Sequence, residues 1–401
     1  MELKKKRSLF LGGMFLFAIA CFFIFYEHRM NAQNTTAYAL NYSYGLIPRG
    51  FVGSIIYLLN QCVSFNLYTY ENAMRISMVA TILLFVIIFY LYHLLLKKCD
   101  ETNLSYMMFG LMMLSVFLFP EFWTWNNFGR TDEYLMIVTV VCLILLCIGK
   151  CEWLIILAVA IACLVHVGFV FTNVALILVL LFYKALTEKK RKKYYWTLCI
   201  LSFLVVSALF LYMEIFRKPL GMDAYHDIVA LAKSISEDGK SISDSLLDSE
   251  ILGLSVFEDE MVWRKRNIVE FPLFLLFFWP YLYVIIYFFK NLLKSVDDKL
   301  QKFKYFVVAI GMITIVPSLL LKVDYGRWMF CIVFYYIAVI IMMLSMGDRY
   351  VWASLQKTGD RIKGKVRFWP MFFLYPFLFM PFRDVYISDI TTKIMNYIMG
   401  W

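Results

Sequence analysis

The sequence predicts an all-α, polytopic integral membrane protein, and three observations carry that reading. Hydrophobic residues make up 62% of the 401, aromatic residues 19% and charged residues only 17%. That is more apolar surface than a water-soluble fold of this length can hide. The apolar residues fall in runs long enough to cross a hydrocarbon core of about 30 Å. The cations gather in short clusters between those runs, which is a topology signal and not a nucleic-acid footprint, despite a formal net charge of +10. A soluble enzyme, a nucleic-acid-binding module and a disordered tail are excluded together.

Taken in order, the first element follows Lys4, Lys5, Lys6 and Arg7. The apolar run Ser8 to Tyr26 has no small-residue cleavage motif after it, so it reads as an uncleaved span with its N-terminus in the cytoplasm. Residues 51 to 65 are apolar but too few to cross, and Asn60 and Gln61 interrupt them. They predict a helix lying on or dipping into the outer surface. Further spans are expected at about 76 to 96, 104 to 120 and 134 to 149.

From Trp153 to Tyr183 the chain is almost wholly apolar, too long for one span and too short for two full ones with a turn. A half-length helix from Cys151, turning at His166 and Gly168 and returning to the cations of 184 to 193, satisfies both length and charge. Such a hairpin needs protein or water around its tip. Spans at about 195 to 216, 270 to 290, 304 to 321, 327 to 346 and 368 to 382 complete eleven, with the N-terminus inside and the C-terminus outside. The expected inner segments then hold 24 of the 39 cations, although the outer side is the longer. The chain reads as one transmembrane domain over 1–401, within which 217–269 is a long extracytoplasmic loop, acidic and serine-rich (SEDGKSISDSLLDSE). That loop is either a solvated segment or a lid over a site reached from the membrane.

Ionisable residues are costly at membrane depth, so their positions are informative. Five segments aim them at one outer layer: Arg49 in GLIPRG, Arg130, Asp132 and Glu133 in GRTDEY, His166 in LVHVG, Asp324 and Arg327 in DYGRW, and Arg383 in PFRD. Adjacent Asp132 and Glu133 cannot share a helix face, so one can cap the following helix while the other points into a cavity as a general base. Arg49, Arg130 and Arg327 offer planar, permanently charged forks suited to pyrophosphate oxygens. The interface-anchor reading of Tyr325, Arg327 and Trp328 stays open beside that one. Gly45, Pro48, Gly50 and Gly53 break the backbone around Arg49 and predict a tight loop that fixes it. His166 is either a hydrogen-bonded structural histidine or a group that donates a hydrogen bond to a phosphate or shuttles a proton.

The nine cysteines lie mostly in apolar runs with no CxxC spacing, so they read as packing residues. There is no P-loop, HExxH, GxSxG or dinucleotide fingerprint, and no transporter-type internal repeat. A soluble nucleotide donor is therefore not expected, and no organic cofactor is called for, with a divalent metal left open. Many spans, the acidic pair opening the second outer loop, the outer arginines and the long outer loop together resemble bacterial envelope-polysaccharide enzymes. Two groups are similar in layout: the polymerases of the Wzy type, which join undecaprenyl-pyrophosphate repeat units, and the type C glycosyltransferases, which use polyprenyl-phosphate sugars. The type C pattern sets its acid in the first outer loop, where this chain has Glu27 and Glu71.

The resemblance implies a multi-pass glycosyltransferase of the bacterial plasma membrane, acting on a lipid-linked oligosaccharide for capsule or O-antigen synthesis. Its partners would be that substrate, membrane lipids and other polysaccharide-assembly proteins. Asp132 would serve as base with Glu133 and His166 beside it, and Arg49, Arg130, Asp324, Arg327 and Arg383 would line the substrate site. A flippase or exporter for such lipids, and a glycan acyltransferase using His166, are the readings of other classes.

Overall fold

The computed structural model describes residues 2–26, 29–122, 128–253, 257–316 and 325–363, and every regular element among them is helical. Helix α1 (Glu2–Phe25) is followed by the short α2 (Ala32–Ala39) and α3 (Gly50–Cys62), then by α4 (Tyr70–Lys98), α5 (Glu101–Glu121) and α6 (Asp132–Ile148). The pair α7 (Leu154–Val165) and α8 (Asn173–Thr187) precedes α9 (Lys192–Leu211), which runs into a π turn at Tyr212–Phe216. Helices α10 (Met222–Ile235) and α11 (Asp244–Leu247) form a small lobe closed by a second π turn, Asp248–Leu252. Helices α12 (Phe257–Lys294), α13 (Lys299–Ile310), α14 (Tyr325–Ser345) and α15 (Arg349–Lys363) complete the described chain.

Four helical stretches, Glu2–Phe25, Tyr70–Lys98, Lys189–Phe216 and Trp328–Ser345, are long and apolar enough to cross a membrane. They differ in place. Most of the last is buried, packed by α5, α12 and α8 at the centre of the bundle, whereas α1 leaves Leu9, Phe15, Leu16 and Phe23 exposed on the rim. Local chemistry starts several helices: Asn31, Thr69 and Asp298 cap α2, α4 and α13, each accepting a backbone N–H three residues on.

The apolar run 153 to 183 folds as its length predicts, into two short helices with a turn at His166 and Gly168. At about 18 and 22 Å, neither α7 nor α8 matches a full hydrocarbon core. The turn meets its own polar demand: the His166 N–H donates to Ala162 O at 3.0 Å and the Gly168 N–H to His166 Nδ1 at 3.0 Å. Residues 50–62 form a short helix, as their length predicts.

Two boundaries differ from the sequence expectation. Helix α12 starts at Phe257, inside the segment read as loop, because 257–271 holds no Gly or Pro and its acids Glu258, Asp259 and Glu260 sit in a first turn, where the helix dipole favours them. Helix α13 ends at Ile310 and passes into a 3-10 turn over Gly311–Ile315. Tyr335 and Tyr336 of α14 donate to the carbonyls of Val308 and Ala309 at 3.3 and 2.6 Å, supplying partners that a continuing helix would have given.

Buried ion pairs tie the basic ends of the helices together. Glu152, fully buried in the α6–α7 turn, meets Lys184 of α8 at 3.0 Å and Arg191 ahead of α9 at 2.6 Å, and accepts from Tyr195 at 2.7 Å. Asp348, between α14 and α15, accepts from Tyr183 and from Tyr305 (2.5 Å) and lies 3.7 Å from Lys304. Arg7 donates to Cys99 O and Lys98 to Cys147 O, so the ends of α1, α4, α6, α8, α9 and α13 share one basic end with the N-terminal lysines.

Candidate functional site

At the end opposite the lysines, the polar groups are organised by residues 29–50. Almost all of α2 is buried, unusually for a sequence as polar as AQNTTAYA, because it lies beneath the α10–α11 lobe and against α3 and α4. Its polar atoms are committed on every side. Asn34 Nδ2 donates to Phe128 O at 2.8 Å, Thr36 Oγ1 accepts the Ser243 N–H of the lobe at 3.0 Å, and Tyr38 Oη hydrogen-bonds Ser77 of α4 (2.7 Å) and Tyr134 of α6 (2.9 Å). The α2 helix therefore joins the start of α6 to the lobe.

Helix α3 packs closely on the chain that precedes it. A Cβ at Gly53 would lie 1.9 Å from Leu40 O, so only glycine lets the two backbones meet. Between them, Ser54 Oγ accepts the Tyr42 N–H at 2.8 Å and donates to Gly50 O at 2.6 Å. The Tyr42 hydroxyl reaches Leu164 O at 3.3 Å, which sets this loop beside the His166 turn. Arg49, immediately before α3, has φ 60 and ψ 2, a left-handed conformation that costs an arginine about 1–2 kcal/mol. The tight loop expected around Arg49 is present as two turns, closed by Gly45 N–H to Tyr42 O at 3.2 Å and Gly50 N–H to Ile47 O at 3.3 Å. The Arg49 guanidinium Nε lies 3.3 Å from Glu250 Oε1, on the π turn of the lobe.

Asp132 and Glu133 part company at the start of α6. Glu133 is fully buried, with one carboxylate oxygen accepting the Gly129 N–H at 3.0 Å and the other accepting from Thr81 of α4 at 3.0 Å. Gly129 has φ +79, a left-handed conformation that favours glycine, and that turn presents the N–H to Glu133. Glu133 thus reaches back to brace the loop, a variant of the capping-box interaction. Asp132 instead pairs with Arg130, Oδ2 to Nε 3.8 Å, both side chains slightly open to solvent at 18% and 16%.

Of the residues read from the sequence, Arg130, Asp132 and Glu133 come together on one loop, with Arg49 and His166 linked by the Tyr42 loop at the same end. Arg327 falls in the first turn of α14, its side chain outside the described residues, as are Asp324 and Arg383. His166 is half-buried, with Nδ1 accepting from Gly168. Sequence reasoning missed Glu250, whose near burial and pairing depend on the lobe docking over Arg49, and the buried Tyr38–Ser77–Tyr134 cluster. The only sequence hint of the first was an acid beside apolar residues in DSEIL.

Outside the spans, the lobe and the loop before α3 each carry one shifted group. Hydrogen bonds from the Ser241 hydroxyl, the Ser241 N–H and the Lys240 N–H hold the Asp238 carboxyl well below the usual carboxylate range. Donation to Asp227 pushes the ionisation of Tyr44 above the ordinary phenol value, and that bond is a further tie between loop and lobe. Among the described residues, no group of His, Cys, Asp and Glu side chains is arranged to hold a metal ion. The distal end thus offers a carboxylate beside an arginine, a second arginine held in place, and a lobe docked over the helix between them. No family model, curated protein or solved structure matches the chain.

Proposed function

We propose that this protein is a membrane glycosyltransferase acting on undecaprenyl-linked saccharides at the extracytoplasmic face, in the manner of a repeat-unit polymerase for capsule or O-antigen. The observation that carries this reading is the Arg130–Asp132 pair, partly open to solvent, at the same end as Arg49 and the polar lobe that docks on it. In this reading the chain crosses the plasma membrane eleven times, N-terminus in and C-terminus out. The basic end then faces the cytoplasm and the distal end faces outward.

Glycosyl transfer from a lipid pyrophosphate needs a base on the acceptor hydroxyl and positive charge near the leaving group. Asp132 takes the hydroxyl proton. Arg130 and Arg49, with Arg327, bind pyrophosphate oxygens and offset the charge that develops on them. Glu133, with both oxygens engaged by Gly129 and Thr81, positions the loop that presents Asp132. His166 supports the phosphate side.

The test is mass spectrometry of undecaprenyl-linked saccharides in cells carrying Asp132→Asn, with the membrane abundance of the variant matched to wild type. Accumulation of one complete repeat unit is the expected result. A unit lacking one sugar would make the enzyme a type C transferase. An unchanged lipid pool would refute glycosyl transfer and favour the exporter or acyltransferase class.

A further inference from the structure

We propose that Glu250 is a built-in stand-in for a phosphate on Arg49, and that the ligand which displaces it is a long-chain lipid phosphate whose chain lies on the outer face of α3. The inference rests on the reading of the distal end as a site for lipid-linked substrates, and it names how such a lipid is held.

Three observations converge on Arg49. Its backbone takes the left-handed region in a loop that Tyr42, Ser54 and Gly50 tie to the start of α3, which sets where the side chain leaves the chain. Its charge partner, Glu250, is 8% exposed and stands on a π turn, a local irregularity often found at functional positions. Arg217 holds the backbone of that turn by donating to the carbonyls of Glu250 and Ser249, so the carboxylate can leave Arg49 without undocking the lobe. An ion pair between an arginine and an acid on a separate segment is the arrangement an anionic ligand can enter by exchange.

The second half of the ligand is read from α3, which begins at the next residue. Its small side is buried on the 38–40 backbone, and its large residues Ile55, Leu58 and Leu59 are 43%, 61% and 50% exposed. A contiguous aliphatic face of this kind belongs against hydrocarbon. A cation at one end of a helix whose outer face is apolar complements a molecule with an anionic head and a long apolar tail. A soluble phosphate would use only the first feature.

The experiment uses the purified full chain in detergent and measures the affinity of a short prenyl diphosphate and of inorganic pyrophosphate, with melting temperatures recorded for each variant. If Glu250 occupies Arg49 most of the time, Glu250→Gln tightens prenyl diphosphate binding by roughly tenfold, because the competent fraction rises toward one. Arg49→Gln weakens binding by at least as much and abolishes the effect of Glu250→Gln in the double variant. Inorganic pyrophosphate binds wild type roughly tenfold or more weakly than the prenyl compound, since it buries no apolar chain.

Unchanged or weaker binding in Glu250→Gln overturns the exchange, and this arm stands even if Arg49→Gln fails to fold. Equal affinity for the two probes overturns the lipid chain. The exchange fails independently of the proposed function, because loss of transfer in Asp132→Asn is read on a different residue and a different product.

Discussion

Neighbouring carboxylates at 132 and 133 take different tasks because a helix turns by about 100° per residue, which sends one inward and leaves the other near the surface. Glu133 satisfies a buried backbone N–H and a buried hydroxyl. Glu133→Ala leaves the Gly129 N–H without its acceptor, while the Thr81 hydroxyl keeps the Ser77 carbonyl, and a loss of about 1–3 kcal/mol is expected in chemical or thermal unfolding; Glu133→Gln keeps one acceptor and costs less. At Gly53 the constraint is steric. A methyl group 1.9 Å from Leu40 O forces α3 off the chain beneath it, and Gly53→Ala should lower stability by about 3 kcal/mol, read as a drop in melting temperature in detergent.

Asp238 supplies a pH dependence of definite sign. Its folded value is depressed, so its support of the 238–241 turn is complete above the unfolded carboxylate value of about 3.9 and is lost as pH falls through the folded value. Protection of the Ser241 amide in hydrogen exchange, corrected for the intrinsic rate, should persist at neutral pH and fall in acid below that range. In Asp238→Asn, whose remaining Oδ1 still accepts the Ser241 N–H, the protection should no longer change with pH over that range.

The elements were legible in the sequence to different degrees, and the reasons are physical. The hairpin α7–α8 follows from length alone, since an apolar run of that size has no other way to close its backbone hydrogen bonds. The brief helix at 50–62 follows from length in the same way. The start of α12 was not legible, because charge and serine content mark a segment as solvated without saying whether it is helical. The polar clusters were the least visible. Glu152 in GKCEW looks like an ordinary turn acid until α8 and α9 bring Lys184 and Arg191 to it.

That cluster fixes how α6, α7, α8 and α9 meet, so its loss should be felt by the whole element group. Glu152→Ala removes the acid that Lys184, Arg191 and Tyr195 share and leaves the buried Lys184 with the half-exposed Glu188 and the Leu146 carbonyl, at a cost of about 3 kcal/mol. Pairing it with Lys184→Met should recover most of that loss, and failure to recover would mean the pair does more than compensate charge.

For the whole molecule, two ends of opposite character organise the fold. One gathers the ends of α1, α4, α6, α8, α9 and α13 around Glu152 and Asp348, with cations from the N-terminus to Lys304. The other gathers residues 29–50, the start of α6, the His166 turn and the lobe. Single cysteines placed at Lys190 and Lys240, in a chain whose native exposed cysteines are replaced, test the proposed orientation. A membrane-impermeant thiol reagent added to intact cells should label the second and spare the first, because the two residues lie at opposite ends of the bundle. Labelling of Lys190→Cys alone would invert the orientation and place the Arg130–Asp132 pair in the cytoplasm.

The site was half legible. Arg130, Asp132 and Glu133 were found because three charges crowd the start of an apolar run, and Arg49 because glycines and a proline surround it. Glu250 was not, since its role exists only after the lobe docks on α2. The most direct measurement is the rate of saccharide transfer by the reconstituted protein, using a lipid-linked repeat unit from the same cell envelope and comparing Asp132→Asn with Glu133→Gln at equal folded amount. With Asp132 as the base, Asp132→Asn lowers the rate by about 10²–10⁴-fold, while Glu133→Gln, which retains the loop, stays within about tenfold of wild type. Full transfer by Asp132→Asn, or an equal loss in both variants, would contradict the assignment of the base to Asp132.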